Sequence, residues 1–378
     1  MYKLIFLGLG MLALGLDAYV VAGIIPQISK TFQISQGQAG QAVTVFTFFY
    51  AISAPLFTTL LAGKSIKKIL FSSLCFFLVA NIVSSLASNF MYFFVSRLFA
   101  GIGAGLFSPM AMSAAVSLVG ENQKGRALGF TLGGMSCGTV LGVPLGLWLS
   151  ELYSWHYVFW LVVVVSAIAL LGLARYLPMI TLVPPPSLRA RFAVLVDKKV
   201  ALTVLITFLT AVASLGTYTY ITSIMAVGDA MTNIMPALWV WGLGGVLGSF
   251  GVGILLDKIQ KNSLILFFIL LLLLLSLMSL GFASLLGQFV FIPFFLWGMM
   301  GWSSLAPQQQ VLVEAQPNHA SAVLGLNSSA NYMGSACGAF AGGLLLASGF
   351  QPNLLPFMAA AVLFFALVGL CKRKLSDN

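Results

Sequence analysis

Twelve apolar segments divide the chain, each close to the roughly 20 residues that a helix needs to cross a bilayer. Of the 378 residues, 60% are hydrophobic and 7% are charged, whereas soluble domains carry roughly 25% charged residues. A soluble fold of this length cannot hide so much apolar surface. The pattern predicts an all-α membrane protein with twelve transmembrane helices, at about residues 4–25, 38–62, 69–88, 90–119, 127–150, 156–176, 201–226, 234–256, 263–283, 287–312, 320–348 and 354–371.

The basic residues fall almost entirely on one side of this map. If both termini are cytoplasmic, 16 of the 18 Lys and Arg residues lie in cytoplasmic loops or tails, which is the positive-inside pattern of membrane proteins. Topology therefore explains the net charge of +10, and we expect no nucleic-acid partner. The partner that the pattern indicates is the lipid bilayer.

A proline-rich loop separates the first six segments from the last six. It contains three consecutive prolines, Pro184 to Pro186, followed by a basic stretch, and proline runs stiffen a connector. We assign residues 1–176 to an N-terminal six-helix bundle, 177–200 to a cytoplasmic linker and 201–378 to a C-terminal six-helix bundle.

The loops after segments two and eight repeat the same chemistry. Aligning Lys64 with Lys258 also aligns Lys67 with Lys261. Similar loops at equivalent places predict two pseudo-symmetric halves, related by an axis along the membrane normal. The residues of this repeat are Gly63, Lys64, Lys67 and Lys68 in the first half, and Asp257, Lys258 and Lys261 in the second.

Asp17 and Arg97 are the charged residues that lie deep inside predicted spans. Burying an ionisable group at mid-membrane costs at least ~2.5–3.5 kcal/mol, so such residues usually face each other or a wet cavity. Counting about 1.5 Å per residue from the outer helix ends puts both roughly 10–14 Å deep. They can therefore pair. A structural ion pair and a part in proton or substrate binding both remain open, and a static pair is a poor reason to bury charge.

Glycines recur at helical spacing in segments four and five. Such faces let a neighbouring helix approach closely, and the Gly-Val-Pro-Leu-Gly stretch of segment five favours a kink. Ordinary tight packing explains any single glycine equally well. The residues are Gly101, Gly103 and Gly105 in segment four, and Gly134, Gly138, Gly142, Pro144 and Gly146 in segment five.

Uncharged aromatic and amide residues inside the spans form a candidate cavity lining. Without a second carboxylate they suit a bulky, partly apolar small organic ligand, although aromatics near span ends are also typical of the interfacial belt. The candidates are Tyr50, Tyr218, Tyr220, Trp241, Gln308, Asn327 and Asn331.

Several chemistries find no support in the sequence. The Gly63-Lys64-Ser65 stretch imitates a phosphate-binding loop, but Thr58 stands where that loop needs glycine. The cysteines and histidines lack metal-ligand spacing. We therefore expect no metal and no cofactor besides a coupling ion. An intramembrane enzyme would need a second acid or a nucleophile–base pair in the spans, and a sensor would need an appended domain.

Four motifs together resemble the major facilitator superfamily, and most closely its twelve-helix drug:proton antiporters of the arabinose-efflux and purine-efflux-like branch. The resemblance covers the whole chain and is strongest over residues 15–160. The motifs are Gly15…Gly23-Ile-Ile-Pro26, Ala54-Pro55-Leu56 with the following Gly63-Lys64 loop, Arg97…Gly101-x-Gly103-x-Gly105, and Gly142-Val-Pro144-Leu-Gly146 with Trp155…Phe159.

The resemblance implies a monomer with two six-helix bundles, a central cavity and alternating access, in a bacterial cytoplasmic (inner) membrane. It implies that protons are the coupling ion, that Arg97 supports proton or substrate coupling, and that segment five lies at the interface between halves. It also implies that the two repeated loops gate the cytoplasmic side. The leading prediction is proton-coupled efflux of small organic molecules or drugs, and an importer of the same fold is the alternative.

Two positions depart from that family's pattern. The loop aspartate is replaced by Gly63 in the first half and is present only as Asp257 in the second. The acid of the first helix usually stands one position later, where this chain has Ala18. Asp17 is therefore rotated by about 100° around the helix from the expected direction.

Overall fold

The computed structural model describes residues 2–61, 64–120, 123–179, 192–227, 231, 233–259 and 261–376, and within these ranges the regular structure is helical, with no strand. The first six long helices correspond to the first six predicted segments. They are α1 (Tyr2–Phe32), α2 (Gln36–Leu60), α3 (Ile66–Ser85), α4 (Phe90–Ser117), α5 (Lys124–Leu152) and α6 (His156–Tyr176).

The second six long helices are less regular. Among them, α7 (Lys198–Thr219) is followed by a short helix, Ile221–Met225, and α10 consists of two segments, Phe291–Ser303 and Leu305–Ala315. The remaining helices are α8 (Met235–Ile259), α9 (Asn262–Leu280), α11 (Ala320–Ala347) and α12 (Leu355–Ser376).

Length and composition support the membrane assignment. Within the described ranges, eleven helices are long and apolar enough to cross a membrane, the two segments of α10 counting as one. The other long helix, α11, has 28 residues, and Asn327, Asn331 and several Gly and Ser residues make it less apolar. The fold is the predicted all-α membrane architecture of twelve helices.

The chain groups into two compact units. Unit 1 contains Met1–Ser35 and Gln41–Pro185, and unit 2 contains Gln36–Gly40 and Pro186–Asn378. The main division thus falls between two prolines of the proposed linker, whose residues 180–191 lie outside the described ranges. The sequence does not predict that the first residues of α2 group with unit 2.

Glycines bring α5 against α1 within unit 1. A Cβ added at Gly138 would overlap the carbonyl oxygen of Leu12, and one added at Gly142 would lie 2.9 Å from the Cα of Leu16. Gly134 repeats this contact one turn earlier on α5. The predicted small-residue face is therefore a close helix–helix contact, and α5 continues as a helix through the buried Pro144.

The same type of contact recurs within unit 2, between α11 and α7. Cβ atoms added at Gly334 and Gly338 would overlap the carbonyl oxygens of Phe208 and Val212. In unit 1, residues 134 and 138 meet the carbonyls of residues 8 and 12. Each residue of a contacting pair in unit 2 thus stands 200 positions after its equivalent in unit 1. The two units therefore repeat one pattern of helix packing.

Asp197 caps the start of α7 and ties it to α10. Its Oδ1 accepts hydrogen bonds from the backbone N–H groups of Lys199 at 2.8 Å and Val200 at 3.3 Å. Its Oδ2 accepts a hydrogen bond from Nε2 of Gln316, just beyond α10, at 3.0 Å. The Gln316 bond, together with these backbone bonds, lowers the pKa of Asp197 below its ordinary value of 3.8.

We expect Asp197→Ala to lower the free energy of unfolding by about 1 kcal/mol, a usual value for a lost helix N-cap. Because the pKa is lowered in the folded state, the ionised carboxylate stabilises the fold above the unfolded pKa of about 3.9. That contribution is lost as pH falls through the folded pKa. Thermal unfolding of detergent-solubilised protein at pH 7 and at acid pH measures both effects.

Asp197→Asn is the matched control, since asparagine caps a helix about as well as aspartate but does not titrate. Its stability should stay near that of the wild type at pH 7. The difference between wild type and Asp197→Ala should shrink on acidification. A difference that is constant with pH would contradict the assigned role of the carboxylate charge.

Candidate functional site

A buried ion pair joins α4 to α1 in unit 1. Nη1 of Arg97 donates to Oδ1 of Asp17 at 2.7 Å, and the two side chains are 1% and 0% exposed. This confirms the pairing that their equal predicted depths indicate. Asp17, although offset by one position from the acid expected by resemblance, reaches Arg97 on α4.

Arg97 also contacts three further helices. Its Nη1 lies 3.4 Å from Oδ1 of Asn81 on α3. Its Cζ lies 4.5 Å from the ring centroid of Phe46 on α2 and 5.4 Å from that of Phe159 on α6, both within the range of cation–π attraction. Sequence analysis did not select Asn81, although an amide in the middle of an apolar segment was an available signal.

The ion pair is joined by a single hydrogen bond. Oδ2 of Asp17 and Nε of Arg97 are buried and have no hydrogen-bond partner in the part of the chain that the structure describes. Strong arginine–carboxylate pairs usually form two parallel bonds, and unpaired atoms of buried charged groups are costly. Asp17 therefore keeps one carboxylate oxygen available to a proton or a polar ligand.

Alternating glycines place Arg97 among these helices. Gly101 and Gly105 face α2, where added Cβ atoms would overlap the carbonyl oxygens of Phe46 and Tyr50. Gly103 faces α3, with an added Cβ 2.9 Å from its backbone. Gly101 and Gly105 are four residues apart and share one face of α4, whereas Gly103, midway between them, lies on the opposite face. The motif thus lets α4 approach two helices at once.

Two of the three amide candidates of unit 2, Gln308 and Asn327, meet in an uncharged network. Oγ1 of Thr207 donates to Oδ1 of Asn327 at 2.6 Å and contacts Oε1 of Gln308, whose Nε2 donates to the carbonyl of Ser304 at 2.8 Å. Gln308 and Asn327 are fully buried, and Asn331 is partly buried one turn further along α11. Sequence analysis did not select Thr207.

The aromatic candidates of unit 2 belong to a larger cluster. Tyr218 stacks on Trp241 with ring centroids 4.4 Å apart, and Trp297 and Trp302 pack edge-on against Trp241 at 6.2 and 5.7 Å. Nε1 of Trp297 donates to Oγ of Ser214 at 2.8 Å. Trp297 and Trp302 are further members that the candidate set does not contain.

The remaining two tyrosine candidates are buried in helix contacts. The hydroxyl of Tyr220, just beyond α7, donates to the carbonyl oxygen of Ala339 on α11 at 2.7 Å. Tyr50 is 4% exposed and packs against Phe46, with ring centroids 6.1 Å apart. Tyr220 thus joins α7 to α11, and Tyr50 packs beside Phe46, the ring that lies nearest to the guanidinium of Arg97.

The candidate gating loops are mostly exposed. Nζ of Lys67 donates to the carbonyl oxygen of Ala174 at 2.8 Å, in the last turn of α6, where a helix favours positive charge. Gly63 lies outside the described residues. The exposed members are Lys64, Lys68, Asp257, Lys258 and Lys261.

Comparison with known proteins gives a consistent result. The family model described as Major Facilitator Superfamily matches residues 7–339. The inner membrane transport protein YdhP of Escherichia coli (strain K12) is 27% identical over 376 residues, covering 97% of this chain and 94% of YdhP. The chloramphenicol resistance protein of Streptomyces lividans is 27% identical over 263 residues, covering 68% of this chain and 67% of that protein.

Two further similarities cover nearly the whole length. The putative transporter AraJ of Escherichia coli (strain K12) is 25% identical over 372 residues, covering 96% of this chain and 93% of AraJ. The crystal structure of a mutant of the nucleoside transporter NupG has a TM-score of 0.78 and 13% identity, covering 99% of this chain and 100% of NupG. At that identity the second similarity concerns the fold alone.

Proposed function

Because this chain belongs to the major facilitator superfamily, whose members are membrane transporters and not enzymes, we propose that it exports small organic molecules in exchange for protons by alternating access. The observation that carries the proposal is the ion pair of Arg97 and Asp17. Among the described residues, these are the charged side chains that are buried. Their burial is costly in a membrane protein and calls for a function.

A carboxylate inside a membrane protein is a natural proton carrier. Protonation would neutralise Asp17 and weaken its single bond to Arg97, which changes the contact between α1 and α4. Oδ2 of Asp17 has no partner in the described part of the chain, so a proton can be accepted without breaking another bond. These features support the proton as the coupling ion.

The names of relatives and the interior of unit 2 support export of uncharged, partly aromatic molecules. One relative is a chloramphenicol resistance protein, and resistance to a drug is a usual consequence of efflux. The buried polar side chains described in unit 2 are hydroxyls and amides, beside the tryptophan and tyrosine cluster. Such groups suit neutral ligands with hydrogen-bonding edges better than ions.

The distribution of basic residues supports an orientation with both termini in the cytoplasm, since the opposite orientation would put 16 basic residues outside. The bacterial relatives support a cytoplasmic (inner) membrane location, and we propose that the protein acts as a monomer in the lipid bilayer without a cofactor. A C-terminal reporter that is active only on the outer side of the membrane would contradict this orientation.

An efflux assay in a host that lacks its own drug pumps tests the function. Cells that produce the protein should accumulate less of a neutral aromatic probe such as chloramphenicol, and a protonophore should abolish the difference. Cells with an empty vector are the control. Increased accumulation would favour the importer alternative, and transport by purified protein that requires ATP and ignores the proton gradient would refute the proposal.

A further inference from the structure

One nitrogen of Arg97 faces two acceptors on different helices. Nη1 carries two hydrogens and lies 2.7 Å from Oδ1 of Asp17 on α1 and 3.4 Å from Oδ1 of Asn81 on α3. Asn81 is fully buried, and its Nδ2 donates to the carbonyl oxygen of Phe77 at 3.0 Å. That bond identifies the nitrogen of the amide and leaves its oxygen toward Arg97.

A second acceptor is needed as soon as the first one changes its charge. The guanidinium of arginine stays protonated in proteins. If Asp17 takes up a proton, Arg97 remains charged and buried, and a buried charge without a partner is strongly unfavourable. Oδ1 of Asn81 is already within 3.4 Å of the same nitrogen, so a small rotation of the guanidinium brings it to full hydrogen-bond distance.

The aromatic rings around Arg97 allow this rotation. Phe46 and Phe159 attract the positive charge at 4.5 and 5.4 Å without requiring a fixed direction of the N–H bonds. A hydrogen bond of 2.7 Å between Ser84 and Ser96 separately joins α3 to α4. Arg97 can therefore change partners while the contact between these two helices is kept.

We propose that Asn81 is a positioning residue of the transport cycle, which receives Arg97 when Asp17 is protonated. The transfer moves the guanidinium from Asp17 to Asn81 and breaks the ion pair between α1 and α4, while α3 and α4 stay joined. This inference rests on the proposed proton coupling. It adds a residue that neither the sequence motifs nor the family resemblance assigns.

The test uses purified full-length protein in liposomes, with chloramphenicol as the probe. Two rates are measured for each variant: uphill transport driven by a proton gradient, and exchange of substrate at equilibrium without a gradient. Asn81→Ala should slow driven transport about tenfold or more, the effect of losing one hydrogen bond to a charged group, and should change exchange much less. Ser84→Ala is the control, since it removes a different bond between α3 and α4.

Exchanging the two side chains provides a second variant. Asp17→Asn combined with Asn81→Asp keeps the total charge and volume and moves the carboxylate from α1 to α3, still beside Arg97. We expect this double variant to recover thermal stability and at least about a tenth of the wild-type rate of driven transport. The transport figure is an order-of-magnitude value for re-forming one hydrogen bond to a charged group. Asp17→Asn alone should recover neither.

The outcomes separate this inference from the proposed function. If wild-type transport ignores the proton gradient, the proposed coupling fails and the role of Asn81 fails with it. If the wild type is driven by protons but Asn81→Ala behaves like Ser84→Ala, the inference alone is overturned. An exchanged variant no better than Asp17→Asn in both stability and transport would also overturn it.

Discussion

Asp17→Asn should reduce proton-driven transport to the level of empty liposomes. The change removes the carboxylate that accepts the proton in the proposed cycle but keeps the size and most of the hydrogen-bonding shape of the side chain. Passive exchange of substrate should survive, because none of the aromatic or amide candidates of unit 2 is altered. Loss of coupling with retained exchange is the expected signature.

Arg97→Ala should lower the stability of the fold in addition to its effect on transport. It leaves Asp17 buried without its partner, and breaking a buried pair in this way costs about 3–5 kcal/mol. It also removes the contacts of the guanidinium with Phe46 and Phe159. The double variant, Asp17→Asn with Arg97→Ala, should partly recover stability without recovering coupling, as expected for residues in direct contact.

The measurement is the number of protons moved per substrate molecule, in liposomes, for the wild type, both single variants and the double variant. Thermal unfolding of the same preparations reports stability. Unchanged coupling in Asp17→Asn would show that Asp17 is a structural residue. Equal and independent losses in the two single variants would contradict the idea that the residues act as one unit.

Gly138→Leu should separate α5 from α1. A Cβ at this position would overlap the carbonyl oxygen of Leu12 and lie 2.8 Å from the backbone nitrogen of Leu16, so backbone and not side chain must move. Overpacking a tight interface typically costs about 1–3 kcal/mol, and we expect the upper end of that range here. Transport should fall strongly while insertion into the membrane remains normal.

Gly133→Leu is the matched control on the same helix, since a Cβ there meets nothing within 4 Å. It makes an identical change in composition and should leave stability and transport near wild type. Gly142→Leu should resemble Gly138→Leu, and Pro144→Ala should impair transport with less effect on stability. Thermal unfolding and the efflux assay compare the four variants, and equal behaviour of Gly133→Leu and Gly138→Leu would contradict the assigned contact.

The features that the sequence predicted are those that apolar length, residue spacing and depth within each segment indicate. Apolar length indicates a membrane helix, and the cost of burying charge makes Asp17 and Arg97 conspicuous as a pair. Spacing of four residues between Gly134, Gly138 and Gly142 indicates one helix face. Each of these signals depends on local order in the chain and on the solvent, so it could be read without knowing which helices are neighbours.

The features that the sequence missed depend on contacts between distant segments. Asn81 is one amide in an apolar run, and Thr207 one of many hydroxyls, until the fold brings them to Arg97 and Gln308. Breaks in helices were also missed. The apolar run of segment ten continues through Ser304, where α10 is interrupted. The sequence does not reveal this break, because hydropathy does not depend on the direction of the backbone.

Because the helix packing of unit 1 repeats in unit 2 at an offset of 200 residues, Thr217 is the counterpart of Asp17. The two units therefore differ in whether this position can carry a proton. Asp17 is the one proton carrier of the proposed mechanism, which fixes a stoichiometry of one proton per turnover and with it a thermodynamic ceiling. One charge crossing 100 mV releases about 2.3 kcal/mol, which sustains a concentration ratio of about 50-fold. A pump with this design dilutes its substrate inside the cell by a factor that rises and falls with the energisation of the membrane.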